Sequence, residues 1–263
     1  MRQLVSEKMP DGEGMLCIEG RQFFHLKSVL RASAGDMVNV RLADGSLVAM
    51  TVCRVENDKL VLQKTGASEV EIPLAQAPKV RLWLFQFAPK PAKMELIVRQ
   101  ATECGVEKII PIAGEFCQKG SLESLKKKSD RWERIILEAR EQSGSPVNTS
   151  VEKCLSLEEA LSLWKTECSV VKAHGASVSA VCLYERNEST VPLHEALRNS
   201  ENCLLCALAV GAEGGISPNE YRSLCKGGFT GVHFATNILR CETAALYGMA
   251  AVQTALMEKK IWQ

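Results

Sequence analysis

Two stretches near the end of the chain carry residue types suited to ligand chemistry: Gly211-Ala212-Glu213-Gly214-Gly215 and Ile238-Leu239-Arg240-Cys241-Glu242-Thr243-Ala244. The first follows the apolar run Leu204–Val210. It precedes Ser217-Pro218-Asn219-Glu220, in which Ser217 suits an N-cap, Pro218 the first helical position and Glu220 the third. The glycines therefore fall in a strand-to-helix turn, where missing Cβ atoms let backbone approach a ligand. The second stretch follows Gly231–Ala235 and opens a helix expected to run to about Lys259, with Glu242 near its positive N-terminus. Open α/β sheets bind ligands at such junctions because backbone N–H groups and helix N-termini converge there. The plain alternative is a tight turn needing positive φ for the first stretch, and an Arg240–Glu242 ion pair with a Thr243 cap for the second. Neither G-x-G-x-x-G nor G-K-[ST] is present in the glycine stretch, so it is neither a dinucleotide fingerprint nor a P-loop.

Other candidates are weaker. The 11 cysteines are an odd number and lie mostly in apolar surroundings, which fits reduced thiols better than a disulfide framework. Cys203 and Cys206 form a C-x-x-C inside a strand-like run, with no second pair at zinc-ligand spacing, so no metal is expected. The net charge of +1 provides no global attraction for nucleic acid. Residues 81–150 nevertheless carry 12 basic against 9 acidic side chains, with Lys126-Lys127-Lys128, Arg131 and Arg134 clustered. A solvated face explains such a run as readily as a partner does.

The elements that must position these loops differ between the two halves of the chain. Residues 15–70 read as short strands (Met15–Ile18, Met37–Leu42, Leu47–Val55 and Lys59–Lys64), with Asp44-Gly45 as a hairpin turn and a short helix over Gln22–Leu30. A small β-barrel satisfies such a meander. From Val80 the texture becomes strand–helix alternation: a buried run Val80–Phe87, a helix opened by Pro91 and stopped at Gly105, and a strand Val106–Ile112. A helix follows whose start is signalled by Asp130 and Glu133, then apolar runs Ser169–Ala173, Ala180–Tyr184 and Leu204–Val210. Alternation of this kind implies an α/β fold with a mostly parallel sheet. The expected domains are 1–72 and 80–263, joined by a linker over 73–79 that contains Pro73 and Pro78. Met1–Pro10 lacks a long apolar run, so no secretory signal is expected, and no segment has the ~18 consecutive apolar residues of a membrane span. A cytoplasmic protein without membrane contact is the expectation.

These residues resemble the two C-terminal motifs of the SPOUT methyltransferases. More narrowly, they resemble the RsmE-type family that methylates N3 of a uridine in 16S ribosomal RNA. His25 through Val29-Leu30-Arg31, with Gly35-Asp36 and Asp44-Gly45, is similar to that family's N-terminal PUA-like β-barrel. Lys93-Met94-Glu95 with Ala101 to Val106 is similar to its first methyltransferase helix, and Arg131-Trp132 through Glu141-Gln142-Ser143 to its central helix.

The resemblance implies a C-terminal SPOUT domain with a deep trefoil knot, binding S-adenosyl-L-methionine, as a homodimer that acts on 16S ribosomal RNA or the small ribosomal subunit. Carried over by position, the cofactor-binding residues are Leu208, Gly211, Glu213, Gly214, Gly215, Ile238, Leu239, Arg240, Glu242, Thr243 and Ala244. His25, Arg31, Lys93 and Arg131 are the implied RNA contacts, and Arg240 the implied catalytic residue. Its guanidinium stays protonated, so its role is electrostatic and the base remains unassigned between Glu213, Glu242 and others. The chain departs from the family pattern at Ala212, Ala235, Asn237, Cys241 and Ser145. Two rival readings share the fold: an RNA-binding or ribosome-assembly protein without activity, and a methyltransferase of a different RNA.

Overall fold

The computed structural model describes residues 3–65, 79–126, 129–186, 189–235 and 237–258. The chain divides into two compact units, Met1–Gln76 with Arg140–Pro146, and Ala77–Ala139 with Val147–Gln263. Residues 73–78 of the expected linker lie outside the described residues.

The first unit is a five-stranded sheet. Its strands are β1 (Leu4–Val5), β2 (Met15–Glu19), β3 (Met37–Arg41), β4 (Leu47–Val55) and β5 (Lys59–Lys64), ordered β1-β3-β4-β5-β2. All neighbours are antiparallel except β1 and β3. The hairpin between β3 and β4 turns at Asp44-Gly45: Gly45 has φ +82, and Asp44 Oδ1 accepts from Ser46 N at 2.9 Å. Leu16, Ile18, Val40, Met50, Val52, Leu60 and Leu62 alternate along the strands to fill one apolar face. Over that face runs α1 (Gly20–Phe24), continued by one π-helical turn at His25–Val29 and ended by Arg31 at φ +55. Phe23 and Leu26 bury into the same cluster. The expected single helix over Gln22–Leu30 is thus an α-turn followed by a wider one.

Residues 140–146 join this unit through polar contacts. Gln3 Nε2 donates to the carbonyls of Arg140 and Ser145, each at 3.0 Å, and Arg41 Nε donates to Gln3 Oε1 at 3.1 Å. Gln22 Nε2 donates to Glu141 Oε1 at 2.9 Å.

The second unit is a parallel α/β sheet. Its elements in order are β6 (Arg81–Phe87), α2 (Pro91–Glu103), β7 (Lys108–Ala113), α3 (Lys119–Lys126), α4 (Ser129–Ser143), β8 (Ser150–Val151) and β9 (Leu155–Ser156). Then come α5 (Leu157–Ala173), β10 (Ser177–Leu183), α6 (Leu193–Ala196), β11 (Cys203–Val210), α7 (Pro218–Lys226), β12 (Thr230–Val232) and α8 (Cys241–Met257). The strand order is β12-β10-β11-β6-β7-β8, with β9 also paired to β7, and every pairing is parallel.

Burial on both faces explains why the central strands read as unbroken apolar runs. In β6, Leu82 and Leu84 face the cluster containing Met94 and Ile97 of α2 and Met249 of α8. Trp83, Phe85 and Phe87 face the opposite cluster, where Trp164 packs edge-on against Trp83 and Phe85, and Phe229 against Phe85. Helix α8 lies close on the sheet because Gly248 leaves room: a Cβ there would meet Leu183 Cδ1 at 2.9 Å and Leu208 Cδ2 at 3.0 Å.

Two local expectations fail. Ser169–Ala173 is not a strand but the last turn of α5, because Ala160, Trp164 and Val171 keep helical spacing along one buried face. Asp130 lies within the first turn of α4, not ahead of it. Among the described residues no helix is long and apolar enough to cross a membrane, and no cluster of metal-ligating side chains occurs.

Candidate functional site

The carboxyl ends of β10, β11 and β12 open into one cavity of about 330 Å³. Small-molecule and cofactor sites span roughly 300–1,000 Å³. Its walls are the residues at the end of each strand and just beyond: Leu183 to Glu185 from β10, Val210 to Glu213 with Gly215 and Ile216 from β11, and Val232 to Phe234 from β12. Asn237 to Cys241, Ala244 and Lys93 complete it. Both stretches singled out in the sequence therefore meet at one place.

The glycine loop is shaped by contact as much as by torsion. A Cβ on Gly211 would lie 2.6 Å from the carbonyl carbon of Gly215, so the two ends of the loop touch backbone to backbone. A Cβ on Gly214 would lie 2.7 Å from Phe116 Cβ, and only Gly215 (φ +77) needs the left-handed region. The loop then enters α7 through the expected capping box. Ser217 Oγ accepts from Glu220 N at 3.2 Å, and Glu220 Oε2 accepts from Ser217 N at 2.8 Å. Gln86, fully buried in β6, pins the other end of the loop by donating to the carbonyls of Val210 (3.3 Å) and Gly211 (3.1 Å). Gln86 Oε1 is buried with no hydrogen-bond partner among the described residues.

The second loop reaches α8 with Arg240 as its N-cap residue. Arg240 is exposed, and its carbonyl accepts from Ala244 N at 2.7 Å. Glu242 pairs with Lys93 of α2 at 3.1 Å, and not in the Arg240–Glu242 pair that the sequence alone allows. Lys93 Nζ also lies 3.6 Å from Glu213 in the glycine loop. The hydrogen bond to Glu242 raises the Lys93 ammonium above its ordinary value against partial burial, and the charges of Glu242 and Glu213 add to the rise. Burial opposes ionisation of Glu242, yet hydrogen bonds from its own backbone, Cys241 and Lys93 hold its carboxyl below the ordinary value. Burial and the neighbouring Glu242 push the Cys241 thiol up to about 12, so it is neutral at physiological pH.

Of the residues expected at the site, Gly211, Glu213, Gly215, Ile238, Leu239, Arg240 and Ala244 line the cavity. Leu208 is fully buried beneath Gly248, behind the wall. Gly214 faces Phe116, Glu242 sits under Lys93, and Thr243 is exposed on the first turn of α8. Lys93, expected from the resemblance at RNA, lines the cavity. Arg131 is exposed on α4 and pairs with Glu95 of α2 at 2.6 Å. In the first unit, His25 is half-buried at the start of the π-turn and Arg31 is exposed at its end. Tyr184, Glu185, His233 and Phe234 also line the cavity and carry no motif. The available signal is that they stand at the ends of strand-forming runs, which in a parallel sheet all point one way.

Residues 76–253 match the family model of the RNA methyltransferase domain. The ribosomal RNA small subunit methyltransferase E of Aquifex aeolicus is 30% identical over 200 residues, covering 74% of this chain and 77% of that protein. The Bacillus subtilis protein of the same name is 27% identical over 248 residues, 91% of each chain. The fold matches the crystal structure of a ribosomal RNA small subunit methyltransferase E from Neisseria gonorrhoeae bound to S-adenosyl methionine. The TM-score is 0.79 at 21% identity, over 97% of both chains. A second match is a Legionella pneumophila structure in complex with the cofactor SAM, with a TM-score of 0.74 at 23% identity over 97% of this chain and 98% of that one. With its site assembled at the strand ends of such a sheet, the chain belongs to the RNA methyltransferase domain family and, within it, to the ribosomal RNA small subunit methyltransferases E.

Proposed function

We propose that this protein is an S-adenosyl-L-methionine-dependent methyltransferase acting on N3 of a uridine in 16S ribosomal RNA of the small subunit. The observation that carries the reading is the convergence of the two loops on one cavity with Arg240 at its rim. The relatives' names supply the substrate class.

The residues present suit a cationic amino-acid nucleoside. Leu183, Val210, Val232 and Leu239 offer apolar walls, while Glu185 and Glu213 bring carboxylates that favour a positive ligand. The close backbone approach at Gly211, held in place by Gln86, leaves backbone polar groups on the cavity wall with no Cβ to cover them. When bound, the cofactor supplies an electrophilic methyl on a sulfonium. The protein aligns the attacking nitrogen and excludes water from the gap. The Arg240 guanidinium stabilises the negative charge that the uracil oxygens carry once N3 loses its proton.

Residues 1–72 are proposed as a PUA-like β-barrel that binds RNA, with His25 and Arg31 among its contacts, and 80–263 as the methyltransferase domain carrying Arg131. The positive charge and exposure of Arg31 and Arg131 support contact with phosphates. The strand order, with β10 and β11 beyond β6, is compatible with a deep trefoil knot. Exposed Leu96 of α2 and Leu246 and Tyr247 of α8 are apolar surface for a homodimer. A cytoplasmic location follows from the substrate.

The test is transfer of tritiated methyl to small subunits or their RNA from cells lacking the gene. Label at N3 of one uridine supports the reading. Label in another RNA redirects it, and no transfer by folded protein that binds RNA favours an assembly role without catalysis.

A further inference from the structure

We infer that Lys93 is a positioning residue that ties the two loops of the cavity together, and that its ammonium serves these loops and not RNA. Three separate pieces of chain meet at Nζ: α2 provides Lys93, the glycine loop provides Glu213 at 3.6 Å, and the first turn of α8 provides Glu242 at 3.1 Å. Cys241 Sγ lies 3.8 Å away. The start of α2 adds to the same clasp, because Lys90 N donates to Glu213 Oε1 at 3.2 Å. A carboxylate at a helix N-terminus gains from the exposed N–H groups and the dipole.

Without the ammonium, the two carboxylates would lose the cation that stands between them, and like charges repel. One cation between two carboxylates is formally −1, so an RNA phosphate approaching Lys93 would compete with two anions already in place. That charge count favours a role inside the protein. The ion pairs are partly exposed (Lys93 27%, Glu213 30%, Glu242 16%), which screens them and keeps each contribution modest. The clasp's effect on cofactor affinity rests on the methyl-donor reading. Its effect on the loops does not.

The experiment compares wild type with Lys93→Met, Lys93→Arg, Glu242→Gln and the double variant Lys93→Met/Glu242→Gln. Amide exchange is followed in cofactor-free protein, S-adenosylhomocysteine binding by calorimetry, and affinity for a 16S ribosomal RNA fragment across a salt series. Lys93→Met is expected to speed exchange in both 211–215 and 238–244 and to weaken S-adenosylhomocysteine about tenfold, the scale of two partly exposed pairs. Its RNA salt slope should be unchanged. Lys93→Arg should restore most of the loss, and the double variant should recover part of it, since removing one carboxylate removes the repulsion. The inference is overturned if exchange in folded Lys93→Met matches wild type. It is also overturned if RNA affinity falls with a salt slope smaller by about one while S-adenosylhomocysteine binding holds. Wild type that fails to bind S-adenosylhomocysteine would refute the donor reading, while the exchange data still decide the clasp.

Discussion

Glu220 Oε1 accepts the backbone N–H of Glu115 at 2.7 Å while Oε2 accepts that of Ser217 at 2.8 Å. One buried carboxylate therefore caps α7 and anchors the chain leaving β7, and Gly114 beside it has no room for a side chain, since a Cβ there would meet Phe87 Cδ1 at 2.5 Å and Glu220 Oε1 at 2.7 Å. Glu220→Ala strips an acceptor from both donors and should cost about 2–3 kcal/mol in urea unfolding. Glu220→Gln keeps one acceptor oxygen and should cost less.

The glycine loop distinguishes two kinds of glycine. Gly211→Ala forces a methyl group into the backbone of Gly215 and is expected to abolish S-adenosylhomocysteine binding, measured by calorimetry. Gly214→Ala meets Phe116 at its Cβ, an atom fixed to the backbone, so the chain around Phe116 must shift; because Gly214 stands outside the cavity lining, binding should weaken and not vanish. Equal losses in both would contradict the contact argument.

Arg240→Ala removes charge from the cavity rim and leaves the α8 cap made by its backbone. Cofactor affinity should change little while the methyl-transfer rate falls about a hundredfold, the scale seen when one oxyanion donor is removed. Single-turnover kinetics separate the two.

Glu141 gives a pH signature in the first unit. Burial raises its carboxyl above the ordinary value of 4.5, against hydrogen bonds from Gln22 and Val5 and the charges of His25 and Arg21. The folded state therefore holds this proton more tightly than the unfolded chain. Its contribution to stability is greatest below pH 4.5 and declines as pH rises through the folded value. Glu141→Gln should flatten that decline and be relatively more stable at neutral pH. A denaturation series from pH 4 to 8 checks the sign.

Local chemistry was legible where neighbours in sequence are neighbours in space. Ser217, Pro218 and Glu220 form their capping box within four residues, and Pro91 starts α2 where expected. Asp44-Gly45 turns its hairpin because the left-handed φ is a property of that residue. Ser169–Ala173 misled because three apolar residues within five do not reveal their period. Only Trp164 and Ala160, about two and three turns before Val171, show that the run is helical.

The sequence by itself determined the two loops, the parallel α/β character and the family, because glycine spacing, caps and apolar runs act over a few residues. The tertiary structure alone decided what the loops share. Lys93 and Cys241 are 148 residues apart yet 3.8 Å from each other, and no local pattern encodes such a meeting. Glu185 and His233 likewise become cavity residues only because parallel strands end on the same edge. Side-chain chemistry is written in the chain, but which charges neutralise one another depends on how the sheet brings its strand ends together.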